Sequence, residues 1–139
     1  YTLPIGVADI KRSGKDVTLV TYGKILKEAI KASNELSKIG IDTEVIDLRT
    51  IRPMDYQTIF ESVKKTNRLV ILEESWPFGN ISTEITYQVQ NEIFDHLDAP
   101  IEKINTADTP APYSPVLLKE WLPDHEDVIN AIKKVMYHK

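Results

Sequence analysis

Residues 17–48, VTLVTYGKILKEAIKASNELSKIGIDTEVIDL, decide the fold. Val17-Thr18-Leu19-Val20 is a short β-branched and apolar run bounded by turn residues, which predicts a buried strand. Ile25, Leu26, Ala29, Ile30, Ser33 and Leu36 then recur at three- and four-residue spacing, one stripe of a helix that stops near Gly40. Glu44 to Leu48, centred on Val45 and Ile46, returns to strand. Strand, helix, strand within so few residues is the unit of a parallel sheet.

The same alternation continues outward. Pro53 breaks the chain and Asp55 is placed to cap a helix whose apolar face is Tyr56, Ile59, Phe60 and Val63. Lys64 and Lys65 fall in its last turn, where they complement the dipole. Leu69 to Leu72 is apolar throughout, as a strand covered on both faces requires. A third helix follows Gly79, with Ile81, Ile85, Val89 and Ile93 in register, and Ile101 to Ile104 is a fourth strand. Thr106 to Pro115, with three prolines, predicts an ordered loop, because Tyr113 and Val116-Leu117-Leu118 call for burial. A last helix begins at Pro123-Asp124 and carries Val128, Ile129, Ile132, Val135 and Met136, with Glu126 and Asp127 at its start and Lys133 and Lys134 at its end. Towards the amino end, Ala8 to Arg12 reads as an edge strand linked by Ser13-Gly14 to the next. The expected architecture is a mainly parallel sheet with helices on both faces.

Composition narrows the function classes. The chain has 139 residues, 42% hydrophobic and 27% charged, with a net charge of −4. That suits one globular domain. No run of 18 apolar residues occurs, so no membrane-spanning helix is expected. A mildly acidic chain without a Lys/Arg cluster is not expected to bind nucleic acid. Cys is absent, which excludes disulfides and thiolate chemistry. The chain opens at Tyr1 rather than Met, with no signal-peptide pattern, and reads as a fragment of a longer polypeptide.

Open α/β sheets hold ligands at the carboxyl ends of their strands. At Thr21-Tyr22-Gly23 a nucleotide site would need GxGxxG and finds one Gly, so a tight strand-to-helix turn is the better reading. At Asp47-Leu48-Arg49-Thr50-Ile51-Arg52-Pro53, Arg49 and Arg52 form a candidate anion clamp or a structural ion-pair site. At Glu73-Glu74, adjacent strand residues point to opposite faces. One of them, Glu73, is therefore expected to pair with Arg49 or Arg52 rather than join its neighbour in acid–base work. Trp76 and Phe78 are expected as core or interface anchors. His96, His125 and His138 are scattered and show no metal-ligand spacing. No catalytic residue and no metal ligand is assigned.

Five stretches in fixed order, YTLPIG with GKDVTLVTYG, IDLRTIRPMD, ESVKKTNRLVILEESWPFGN, LDAPIEKINTADTPAPYSP and LPDHEDVINAIKKVM, resemble one family across essentially the whole chain. The family is the carboxy-terminal, transketolase C-terminal-like domain of the beta subunit of the thiamine-diphosphate-dependent decarboxylase component of pyruvate and related 2-oxo-acid dehydrogenase complexes. The resemblance implies residues 1–139 as a three-layer α/β/α domain, with a five-stranded, mostly parallel sheet and one antiparallel edge strand. It implies a fragment without decarboxylase activity of its own, since the family holds thiamine diphosphate and Mg²⁺ in the alpha subunit and in the beta subunit's amino-terminal domain. The implied partners are the alpha subunit, a second beta subunit and the subunit-binding domain of the dihydrolipoyl acyltransferase. Asp98, in Leu97-Asp98-Ala99-Pro100, matches the family's docking acid. Asp95 and Glu92 precede it at about one-turn spacing and extend a candidate acidic patch, and the chain end near Met136 to Lys139 belongs to the same implied surface. Ser75 and Asn80-Ile81-Ser82 stand where relatives commonly carry glycines, and the Tyr-His-Lys end adds positive charge. Branched-chain 2-oxo-acid and acetoin dehydrogenases are the alternative activities, and a free-standing module binding an anion between Gly23, Arg49 and Arg52 is the alternative class. Bacterial cytoplasm is the expected location, with the mitochondrial matrix as the alternative.

Overall fold

A computed structural model describes residues 2–138 of the chain. Tyr1, where the first quoted stretch begins, and Lys139, the last residue of the implied docking surface, lie outside the described residues. The strands are β1 (Asp9–Arg12), β2 (Val17–Thr21), β3 (Thr43–Asp47), β4 (Leu69–Leu72) and β5 (Glu102–Ile104). They form one sheet in the order β1-β3-β2-β4-β5. Only the β1–β3 pair is antiparallel, as expected for the edge strand. Its partner is β3 and not β2, to which Ser13-Gly14 joins it in sequence. The helices are α1 (Leu26–Ser37), α2 (Tyr56–Thr66), α3 (Ile81–Ile93), α4 (Pro115–Trp121) and α5 (His125–Val135).

The two-residue period of the strands builds two cores. Val17 and Leu19 of β2, with Val45, Val70 and Leu72, face α1 and α5 through Ala29, Ala32, Leu36, Val128 and Ile132. Val20, Ile46, Leu69 and Ile71 face the other way, onto Ile59 and Val63 of α2 and Ile85, Val89 and Ile93 of α3. The sheet is thus covered on both sides, which explains its unbroken apolar strands.

The helix ends follow their sequence signals. Asp55 accepts the Thr58 amide at 3.1 Å and caps α2, while a second oxygen accepts the Ala8 amide at 2.9 Å and ties the entry of β1 to this corner. Asp124 and Asp127 form a reciprocal capping box on α5.

Two expectations fail. The segment predicted as loop ends in helix α4, and none of that helix is buried. Tyr113, Val116 and Leu117 are exposed rather than covered. Trp76 and Phe78 are also exposed, so neither anchors the core. The indole N–H groups of Trp76 and Trp121 both donate to the carbonyl oxygen of Thr109, each at 2.8 Å. A carbonyl has two lone pairs, so both bonds coexist. The Trp76 bond ties this proline-rich segment to the loop after β4, and the Trp121 bond ties it to α4, without burying its apolar side chains.

Candidate functional site

The loop leaving β2 leads to α1 on one face, whereas those leaving β3 and β4 lead to α2 and α3 on the other. Such a divergence opens the crevice in which α/β sheets bind ligands. Here it is filled. Glu73, one residue beyond β4, is fully buried. Its carboxylate accepts the Tyr22 hydroxyl at 2.9 Å, the Ser82 hydroxyl at 2.5 Å, the Ser82 amide at 3.2 Å and the Asn105 side-chain amide at 2.7 Å. These donors come from the ends of β2 and β5 and from the first turn of α3, so one side chain draws three elements together.

The arrangement has a local cause. Asn80, at the cap position of α3, makes no capping bond; its side-chain amide donates instead to the Trp76 and Phe78 carbonyls. Glu73 supplies the missing acceptor from the strand side, and the helix N-terminus favours its charge. Burial, and then the hydrogen bond to Glu73 and its charge, push the Tyr22 phenol far above its ordinary range. Tyr22 is a neutral donor here, not a base. Ser75 Oγ and Asn105 Oδ1 are buried beside the cluster without protein partners. Two neutral oxygens next to a carboxylate do not make a diphosphate cradle. Among the described residues, no group of three or more His, Asp or Glu side chains is placed to hold a metal.

The expected pairing of Glu73 with an arginine is corrected. The structure places no hydrogen bond or salt bridge between Glu73 and Arg49 or Arg52. Arg49 sits in the left-handed region at φ 57° and donates to Asp9 at 2.8 Å. Asp9 also meets Lys11 at 2.6 Å. The Lys11 hydrogen bond, against slight burial and aided by the Arg49 charge, holds the Asp9 carboxyl below its ordinary value. The group staples β1 to the end of β3. Arg52 instead lines a cleft of about 650 Å³ with Ile51, Met54, Tyr56 and Glu84. Arg49 thus forms a structural ion pair, with Asp9 and not Glu73 as its partner, and Arg52 shares its cleft with the Glu84 carboxylate.

The acidic residues lie elsewhere. Glu92 is in the last turn of α3, Asp95 in the 3-10 turn Phe94–His96, and Asp98 in the turn before β5. They do not share one helix face, because α3 stops at Ile93. All three are exposed, and none forms a salt bridge among the described residues. The turn itself is rigidly held. The Asp98 amide donates to the Asn67 carbonyl at 2.8 Å, and the Asn67 side chain donates to the His96 carbonyl at 2.8 Å. Asn67 adopts φ 65° at the end of α2, a conformation asparagine tolerates. Beside Asp98 a groove of about 490 Å³ is lined by Thr86, Phe94, Leu97, Ala99, Pro100 and Ile101. Phe94, the first residue of the 3-10 turn after α3, escaped the sequence reading. At the chain end, the His138 amide returns to the Lys133 carbonyl at 2.9 Å and caps α5.

A mostly parallel sheet with one antiparallel edge strand, covered by helices on both faces, defines an α/β domain. Residues 6–128 match the family described as "Transketolase, C-terminal domain", and the chain belongs to it. Among relatives, it is 53% identical over 137 residues to the pyruvate dehydrogenase E1 component subunit beta of Rhizobium meliloti, covering 99% of this chain and 30% of that protein. It is 49% identical to the mitochondrial subunit beta-2 of Oryza sativa subsp. japonica, covering 99% and 36% respectively. A solved structure of a split-gene transketolase, an inactive beta4 tetramer, superposes with a TM-score of 0.82 at 26% identity, covering 96% of this chain and 42% of that one. The chain therefore spans less than half the length of these relatives. Among the described residues no helix is long and apolar enough to cross a membrane.

Proposed function

We propose that residues 1–139 are the assembly and docking domain of a longer pyruvate dehydrogenase E1 beta subunit. The parent enzyme decarboxylates pyruvate with thiamine diphosphate and transfers the acetyl group to a lipoyl carrier. The observation that carries this reading is similarity along the whole chain to named E1 beta subunits. It is joined by an exposed acid at Asp98 in the matching motif, which forms no salt bridge among the described residues. In this reading Tyr22 and Glu73 serve each other at the ends of β2 and β4 rather than a cofactor. Thiamine diphosphate and Mg²⁺ are assigned to the rest of the subunit and to the alpha subunit, and this stretch alone is expected to be inactive. Substrate choice lies with those parts, so a branched-chain 2-oxo-acid or acetoin dehydrogenase would use the same domain. Bacterial cytoplasm is the proposed location, and the mitochondrial matrix the alternative.

Two surfaces do the work in this reading. A second beta subunit is met by this domain, a role supported by the beta4 tetramer of the split-gene transketolase. Asp98, with Asp95 and Glu92, receives the basic subunit-binding domain of the dihydrolipoyl acyltransferase. Complementary charge of this kind speeds encounter and fixes register. The test uses the complete beta subunit assembled with its alpha subunit. Asp98→Lys should weaken titrated binding of the subunit-binding domain, and more so at low salt. Equal affinity for both proteins would overturn the docking assignment.

A further inference from the structure

Helix α3 is apolar on two sides. Ile85, Val89 and Ile93 face the sheet and are buried. Tyr87 lies two residues from both Ile85 and Val89, about 200° around the helix from either. Phe94 follows α3 directly, beyond a bend at Ile93 (φ −138°, ψ 29°). Both rings line one hollow, so Phe94 stays beside Tyr87 across that bend. Tyr87 is 60% and Phe94 63% exposed. The pair forms a ridge. Both rings line a hollow of about 310 Å³ with Gln90 and Asn91, and Phe94 also borders the groove lined by Leu97, Ala99 and Pro100.

A helix with apolar residues on opposite faces has two neighbours. One is the sheet, and nothing among the described residues covers the other. The charge along this stretch is mostly acidic, although Lys103 of β5 reaches the Thr83 hydroxyl at 3.4 Å in the first turn of α3. From Ile81 to Glu102 the chain carries Glu84, Glu92, Asp95, Asp98 and Glu102, with no lysine or arginine. Only Glu102 has a basic partner among the described residues, Lys134 at 2.6 Å. An anionic rim around an apolar ridge fits a cation-rimmed apolar surface. A helix cannot accept an added strand, because its backbone groups are bonded internally, whereas a side-chain ridge bordering two hollows seats the ridges of another helix.

We propose that the outward face of α3, with Tyr87 and Phe94 as its ridge, docks a cationic amphipathic helix. Its apolar side chains enter the two hollows, and its lysines and arginines lie against Glu92, Asp95 and Asp98. This deepens the docking reading above and rests on it for the partner's identity. It adds a division of labour. The acids set how fast the partner arrives, and the aromatic ridge sets how long it stays.

The experiment uses the assembled enzyme and two probes: the acyltransferase's subunit-binding domain, and a synthetic Leu/Lys heptad helix with its Leu/Glu counterpart as control. Phe94→Ser and Tyr87→Ser remove only exposed side chains, so an unchanged Tm shows that the fold is intact. Phe94→Ser should weaken the subunit-binding domain about ten-fold or more, mainly through faster dissociation, while Asp98→Lys mainly slows association. If Asp98→Lys weakens binding and both serine variants stay within about two-fold of wild type, the ridge is overturned and the docking reading stands. If the subunit-binding domain does not bind at all, the docking reading fails and the model helices decide. Preference for Leu/Lys over Leu/Glu, lost in Phe94→Ser, upholds the surface; no preference overturns it.

Discussion

Replacing Glu73 with alanine would leave the Tyr22 and Ser82 hydroxyls and the Asn105 amide without their acceptor, and α3 without its cap. Each buried donor left unpaired costs about 1–3 kcal/mol. Glu73→Ala should therefore lower stability by about 3 kcal/mol or more in urea unfolding, and Glu73→Gln by less. The arginines beside Glu73 in the sequence reading misled because a carboxylate suggests a cation. Its real partners, 9 and 32 residues along the chain, are neutral. Glu44 behaves differently. Burial acts to raise its carboxyl, but hydrogen bonds from Lys65, Ser62 and the Gly14 amide, with the Lys65 charge, outweigh burial and hold it below its ordinary value. A folded-state value below the unfolded one gives stability that is complete above the unfolded value and fades as pH falls through the folded one. Glu44→Gln should thus be less stable than wild type near neutral pH. The gap should narrow in acid, when both states bind the proton, as read from urea midpoints along a pH series.

Among the elements, the turn between β1 and β2 is the tightest constraint. A Cβ on Gly14 would stand 2.3 Å from the Thr43 carbonyl carbon and 2.5 Å from the Glu44 nitrogen. Both are strand backbone and cannot rotate away. Gly14→Ala should cost about 3 kcal/mol or more, measured as a drop in Tm, because β1 has to lift from β3. The repeating strands and helices were legible because their apolar residues follow the periods of 2 and 3.6. The β1–β3 pairing was not, since it joins residues some 35 apart in the register Asp9↔Asp47 to Arg12↔Val45. Helix α4 was hidden for the opposite reason. It is seven residues long with no buried face, so it carries no amphipathic pattern, and Pro115 at its first position reads equally well as loop.

For the whole molecule, the two cores account for the buried apolar residues and leave a second population outside. Phe78 is 86% exposed, and Tyr113, Val116 and Leu117 are exposed with it. Apolar patches of this kind drive association. The isolated 139-residue chain should self-associate as concentration rises, and Tyr113→Ser with Leu117→Ser should shift it towards monomer in sedimentation velocity. The proposed docking acids were legible only through a family motif, because charge on a surface looks the same whether water or a protein meets it. The pairing of Tyr87 with Phe94 was not legible from helical period, because the backbone bends at Ile93 between them. The shared Thr109 oxygen has an optical consequence. The chain's two indoles sit on one acceptor at the rim of the sheet, so all tryptophan emission reports on that single spot. A macromolecule settling over it will recolour the whole spectrum, while events under α1 or α5 leave it dark.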